Sequence, residues 1–86
     1  KLYLCSNKIS DEGAIALAQS PNLKNLNCLS IWRNEIRDGG GKAIAESPHL
    51  LKLERLYMSF NLIDKSVRKL IRSSDLASRL KTLVMD

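Results

Sequence analysis

The sequence predicts an α/β solenoid in which an open parallel sheet lies against a row of helices, with about three repeats and a fourth strand begun. Three observations predict it. Leu2, Leu29, Leu56 and Leu83 stand 27 residues apart, and the columns Leu4, Ile31, Met58, Met85 and Ile9, Ile36, Ile63 keep the same step. Within a unit, Leu29-Ser30-Ile31-Trp32 alternates apolar and polar or outward residues, the period of a half-buried strand. Between strands the small and apolar residues return at helical spacing, so each connection is long enough to cross over and carry a helix.

Each element follows in order. Strands are expected around Leu2, Leu29, Leu56 and Leu83, paired in parallel because they recur at one fixed step. The helices are expected to turn Gly13, Ala16, Leu17 and Ser20 inward, then Gly40, Ala43, Ile44 and Ser47, then Val67, Leu70, Ile71 and Ser74. Ser10 and Asp64 are positioned to cap their helices, and Pro21 and Pro48 end the first two. The third unit has Asp75 in place of that proline and Val67 in place of the helix glycine, so its geometry is expected to depart from the others. Asn7, Asn34 and Asn61 mark the bend out of each strand and are read as a structural ladder, since a buried amide without partners would cost a few kcal/mol.

Each unit reads Leu-x-x-Leu-x-Leu-x-x-Asn-x-Ile, then a helical segment, then a short loop. This pattern resembles the leucine-rich repeat family, in particular its ribonuclease-inhibitor-like class, and the resemblance covers the whole chain. The stretch Asn7-Lys8-Ile9-Ser10-Asp11-Glu12-Gly13-Ala14 and the loops Ser20-Pro21-Asn22-Leu23 and Ser47-Pro48-His49-Leu50 are similar to bacterial arrays of 27-residue repeats. The resemblance implies a horseshoe arc with the sheet on the concave face and helices on the convex face. It also implies buried ladder asparagines and a role in binding proteins.

Eighty-six residues allow one domain, 1–86, divided into repeats 2–28, 29–55 and 56–82 with a partial repeat 83–86. The chain starts without Met or a signal-peptide layout, and neither end has a polar capping segment, so it is expected to be a fragment of a longer protein. Leu2, Leu4 and Ile9 would then face solvent, and self-association through uncapped solenoid ends or sheet edges is expected unless flanking sequence covers them.

On a sheet backed by helices, the outward strand residues form the candidate binding face. By the period these are Tyr3, Cys5, Cys28, Ser30, Trp32, Arg55, Tyr57 and Ser59, then Thr82 and Val84, with Arg33 and Phe60 bordering them. All four aromatic residues lie on or beside this face, and Trp, Tyr and Arg are the side chains that dominate binding hot spots. The bland alternative is cross-strand packing of those aromatics on one another. A partner is favoured because Tyr3 and Tyr57 are separated by Ser30, and Trp32 is displaced along its strand.

Nothing else in the sequence composes a reaction site. Cys5 and Cys28 fall roughly 13 Å apart along the strand direction at about 3.3 Å per residue, too far for a disulfide. Both are read as exposed thiols without a catalytic part. His49 is a loop residue, and Gly39-Gly40-Gly41-Lys42 lacks the upstream Gly and the following Ser or Thr of a phosphate loop, so it is read as a tight start to a helix. No catalytic residue, metal or cofactor is expected.

The net charge is +5, and the three repeats carry 0, +1 and +4. Lys65, Arg68, Lys69 and Arg72 share one helix face and form a candidate electrostatic contact. The expected function is a non-enzymatic module that binds a protein on the concave face, with an acidic protein among the partners the net charge suits. Two alternatives stand beside it: spacer repeats of a larger protein, and binding of nucleic acid or an acidic partner through the basic residues. Nucleic acid is the less favoured partner, because the densest cations lie away from the aromatics. No run spans a membrane, and the two cysteines favour a reducing intracellular compartment, leaving host-targeted secretion open.

Overall fold

The computed structural model describes residues 1–85. Its elements run β1 (Leu2–Tyr3), α1 (Asp11–Ala18), a 3₁₀ turn at Pro21–Leu23, β2 (Cys28–Ser30), α2 (Asp38–Ala45), β3 (Arg55–Tyr57), α3 (Lys65–Arg72), α4 (Asp75–Arg79) and β4 (Thr82–Val84). The strands form one open, parallel sheet in the order β1-β2-β3-β4. Leu2, Leu29, Leu56 and Leu83 pair in one row, so the 27-residue period of the sequence is the register of the sheet.

The core lies between sheet and helices. Leu29, Ile31, Ile36, Ile44, Leu50 and Leu56 are fully buried, joined by Met58, Leu53, Ile71 and Leu76. Burying such side chains stabilises the fold by roughly 1.5–3 kcal/mol each. Leu2, Leu4 and Ile9, expected in solvent, are half-buried against this core, because β2 and the bend after it already cover one side of each.

The helix stripes need correction. Val67, Ile71, Gly40 and Ile44 turn inward as expected, but Ala16 is exposed, Ala43 is half-buried and Leu70 is 57% exposed. In α1 the buried residues are Ala14 and Ala18, because that helix turns its small side chains sideways against α2. Gly39, Gly40 and Gly41 lie inside α2, and none has positive φ. Close approach is the reason for two of them. A Cβ on Gly40 would stand 2.8 Å from Ile36 Cγ2 and 3.0 Å from the Ala14 Cβ, and one on Gly41 would stand 3.0 Å from Ile63 Cδ1.

Capping also differs from expectation in part. Asp64 accepts from the Ser66 N–H as a cap, whereas Ser10 occupies the N-cap of α1 without a side-chain bond. The adjacent Asp11 works between units instead, its Oδ1 accepting the Arg37 N–H at 2.6 Å, and Asp38 accepts the Asp64 N–H at 2.7 Å. Where the third unit lacks its proline, α4 starts at Asp75, and Ser74 caps it by accepting from the Ala77 N–H.

The bends out of the strands are fastened by asparagine. Asn34 Oδ1 accepts the N–H groups of Asn7 and Ile9, while its Nδ2 donates to the carbonyls of Leu4 and Ile31. Asn61 repeats this one unit on, accepting from Ile36 N–H and donating to Ile31 and Met58. Asn7 differs: it is exposed, and its Nδ2 donates to Cys5 O. Among the described residues no buried side-chain nitrogen or oxygen lacks a partner.

Candidate functional site

The sheet face turned away from the helices is built from alternate strand positions. Because Tyr3, Ser30 and Tyr57 pair in one row, the small Ser30 lies between two tyrosines. Cys28 pairs with Arg55 in the row toward the strand starts. Strand β2 therefore forms a low floor between larger neighbours, with Cys28 3% and Ser30 6% exposed, and Ser59, just past the end of β3, is also an expected contact residue beneath the surface at 4%. The reading of Cys28 as an exposed thiol is corrected by the bulk of the strands beside it. Cys5 is half-buried, with its Sγ 3.1 Å from Ser30 Oγ, and both cysteines are free thiols.

Tyr3 stands above this floor at 61% exposure. Its phenol is raised above the ordinary tyrosine value, first by its hydrogen bond with the Cys28 side chain and by charge interaction with that thiol, with Arg55 acting in the opposite direction. A shallow cavity of about 160 Å³ opens at the strand starts between Asn27, Cys28, Glu54 and Arg55. Arg55 is exposed and Tyr57 half-buried. On β4, Thr82 is half-buried and Val84 is 40% exposed.

The strand ends carry a tighter group. Trp32 and Phe60 meet edge to face with centroids 5.5 Å apart, and the Arg33 guanidinium lies 5.1 Å from the Trp32 ring and 5.9 Å from that of Phe60. Aromatic packing of the kind set against partner binding is thus present for this pair. It does not cover the group: Trp32 remains partly accessible, Arg33 is exposed and Phe60 is 62% exposed.

Sequence reasoning missed how the backbone presents these side chains. Ser6, Arg33 and Phe60 occupy one column of the repeat, and all three are left-handed, with φ of 59°, 56° and 59°. A left-handed residue other than glycine costs roughly 1–2 kcal/mol. The asparagine ladder that follows each of these residues fixes the bend and so holds the strained position. The period could have revealed the column, but Ser, Arg and Phe share no chemistry that marks a bend. Lys8, also left-handed at 57°, has no such counterparts in the later units.

Away from this face, the basic residues of α3 line a cavity of about 170 Å³. Lys65, Lys69 and Arg72 are exposed and Arg68 is half-buried. His49 is half-buried in its loop, and its N–H donates to Ser47 Oγ. Among the described residues no three His, Cys, Asp or Glu side chains are grouped to hold a metal ion, and no helix is long and apolar enough to cross a membrane.

Short parallel strands at a fixed register, the first three each followed by a bend tied to a ladder asparagine and by a helix, define the class as an α/β solenoid of repeats. The Leucine Rich repeat family model matches residues 1–18 and 22–45. The chain belongs to the leucine-rich repeat family, and the helices that follow β1, β2 and β3 are consistent with the ribonuclease-inhibitor-like class. No curated protein matches it. Leucine-rich repeats generally mediate protein–protein interaction, and the family is typically non-enzymatic.

Proposed function

We propose that this chain is a non-enzymatic interaction module that takes a protein partner on the open face of its sheet, through Tyr3, Arg55 and Tyr57 on the strands and Trp32, Arg33 and Phe60 at their ends. The observation that carries this reading is the exposed Trp32–Arg33–Phe60 group, whose backbone is held left-handed at Arg33 and Phe60. Strain of this kind persists where the surroundings over-determine it, and such positions cluster at functional sites. Large aromatic and guanidinium groups that are already ordered lose little further freedom when a partner covers them.

The low floor at Cys28, Ser30 and Ser59 gives the face relief. A protruding loop of the partner fits between Tyr3 and Tyr57 and places polar groups near Arg55. The test is affinity capture with mass spectrometry, with and without nuclease, comparing the protein with a Trp32→Ala, Arg55→Ala, Tyr57→Ala variant whose fold is checked by circular dichroism. A nuclease-resistant protein captured by the parent and lost by the variant is the expected result. Equal capture by both forms moves the site elsewhere, and loss of the partner on nuclease treatment replaces the protein partner with a nucleic acid.

A further inference from the structure

The Arg33 guanidinium is held in place without spending a hydrogen bond. It lies 5.1 Å from the Trp32 ring and 5.9 Å from that of Phe60, and those two rings brace each other edge to face. Among the described residues it has no hydrogen-bond or ion-pair partner, in contrast to Lys81, which pairs with Glu54 at 3.2 Å. A guanidinium lying over a ring is attracted through its charge, which leaves its N–H donors unspent.

Arg33 also walls a cavity between the bends of the first two units. The cavity measures about 280 Å³ and is lined by Ser6, Lys8, Arg33, Asn34 and Glu35. One amide builds both of its sides. Asn34, next after Arg33 in the chain, is 7% exposed, and its Oδ1 accepts the N–H groups of Asn7 and Ile9, on either side of Lys8. Its Nδ2 donates to the carbonyls of Leu4 and Ile31, so this amide is saturated and positions the two cations rather than meeting a ligand.

Lys8 and Arg33 against Glu35, two cations less one carboxylate, give the wall a net charge of +1. Glu35 is exposed and pairs with neither cation. At the next seam the same columns bring Phe60 and Leu62 beside Arg33 and Glu35, so the charges cancel there. The excess cation is thus confined to the first seam.

We infer that this cavity receives an Asp or Glu side chain of the protein partner, bound by the Arg33 fork and by Lys8. The inference rests on the sheet-face reading, which supplies the protein, and adds the chemistry that it must present. A carboxylate matches the guanidinium fork in two parallel hydrogen bonds, and its single charge matches the wall. A phosphomonoester, at roughly −1.5 to −2 charges near neutral pH, exceeds it. A nucleic acid is the poorer fit, because the Trp32 ring on which a base would stack already carries Arg33 and the contact with Phe60.

The test is titration of the isotope-labelled full chain with a blocked Gly-Glu-Gly tripeptide, followed by proton–nitrogen correlation spectra that include the arginine Nε–H groups. Comparison probes are blocked Gly-Gln-Gly and dimethyl phosphate, the latter standing for a nucleic-acid backbone. Saturable shifts of the Arg33 Nε–H and of the Lys8 and Glu35 amides are expected with the Glu tripeptide. Arg33→Lys keeps the charge and loses the fork, and is expected to weaken binding about tenfold, with Lys8→Gln weakening it about threefold. Glu35→Gln is expected to tighten binding a few-fold, whereas Glu46→Gln, the same charge change at the end of α2, leaves it unchanged. Any one of these results overturns the carboxylate site: no saturation, equal shifts with the Gln tripeptide, unchanged binding in Arg33→Lys, an equal gain from Glu46→Gln, or tighter binding of dimethyl phosphate. If the tripeptide fails while capture still depends on Trp32, Arg55 and Tyr57, the sheet-face reading stands and only the carboxylate site falls. If the tripeptide binds at Arg33 and capture is independent of those residues, the carboxylate site stands and the sheet-face reading falls.

Discussion

The Asp38 carboxylate accepts the backbone N–H of Asp64 at 2.7 Å, so the first residue of α2 holds the N-cap of α3. Asp11 does the same for Arg37 one unit earlier. Each acid also lies in the first turn of its own helix, where the positive end of the helix dipole favours it. Replacing Asp38 with Ala is expected to destabilise the protein by about 1 kcal/mol, with Asn recovering part of the loss. Urea unfolding followed by circular dichroism measures both.

Asp64 gives the fold a pH dependence. Its carboxyl is held below the ordinary carboxylate value, first by the side-chain hydrogen bond from Ser66, then by the Ser66 backbone N–H. A folded value below the unfolded one means that stability is fully present above the unfolded carboxylate range, near pH 4 as an order of magnitude. It is lost as pH falls through the lower folded value. An Asp64→Asn variant is expected to show a flatter fall in stability on the acid side, measured by thermal melts across the acid range.

The ladder asparagines are not equivalent. Asn34 is 7% exposed and bonds groups on both its own and the preceding unit, whereas Asn7 is exposed. Asn34→Ala removes several buried hydrogen bonds at once and is expected to cost about 3 kcal/mol or more. Asn7→Ala should cost about 1 kcal/mol or less. Equal losses in denaturant unfolding would show that the bends are held by something other than the buried amide.

Two neighbouring glycines should respond in opposite senses. Gly40→Ala places a methyl within 2.7–3.0 Å of Asp11 Oδ1, Ile36 Cγ2 and the Ala14 Cβ, forcing α1 and α2 apart, so a loss of about 1–3 kcal/mol is expected. Gly39 is exposed, and its nearest contact is the movable Asp11 carboxylate at 3.2 Å. There the higher helix propensity of Ala prevails, and Gly39→Ala should leave stability unchanged or raise it by up to about 1 kcal/mol. Parallel melts of the two variants decide it.

Arg33 is expected to trade stability against binding. With φ at 56° it occupies a conformation that glycine adopts readily, so Arg33→Gly should raise stability by up to about 1 kcal/mol after the flexibility of the unfolded glycine is counted. The same change removes the cation from beside Trp32 and Phe60, so affinity for a sheet-face partner should fall. Calorimetric melting alongside a binding assay separates the two effects.

Much of this architecture is legible in one row of leucines. Leu2, Leu29, Leu56 and Leu83 give the register because a parallel strand can repeat at a fixed step only if the chain returns by the same path each time. Helix orientation is less legible. The spacing of Gly13, Ala16, Leu17 and Ser20 fits an inward stripe, yet Ala14 and Ala18 are the buried residues, because the closest neighbour of α1 lies sideways rather than beneath it. The candidate face was legible as a set of outward positions but not in height. Cys28 and Ser30 are outward on β2 and Ser59 lies in an outward column just past β3, and all three are still buried, since exposure depends on the size of the side chains beside them. The left-handed column at Ser6, Arg33 and Phe60 was hidden because the bend is enforced by the residue after it.

The two ladders reach in opposite directions, with Asn34 bonding backward to Asn7 and Ile9 and Asp11 bonding forward to Arg37. Asn61 and Asp38 present the same donors and acceptors at the other seam. The joints are consequently interchangeable parts. Removing residues 29–55 as a block would bring Asn61 against the bend of the first unit and Asp64 against Asp11, remaking both clasps in the original pattern. Gain or loss of chain length in whole periods leaves this joint chemistry intact, whereas an insertion of a few residues breaks it on both sides.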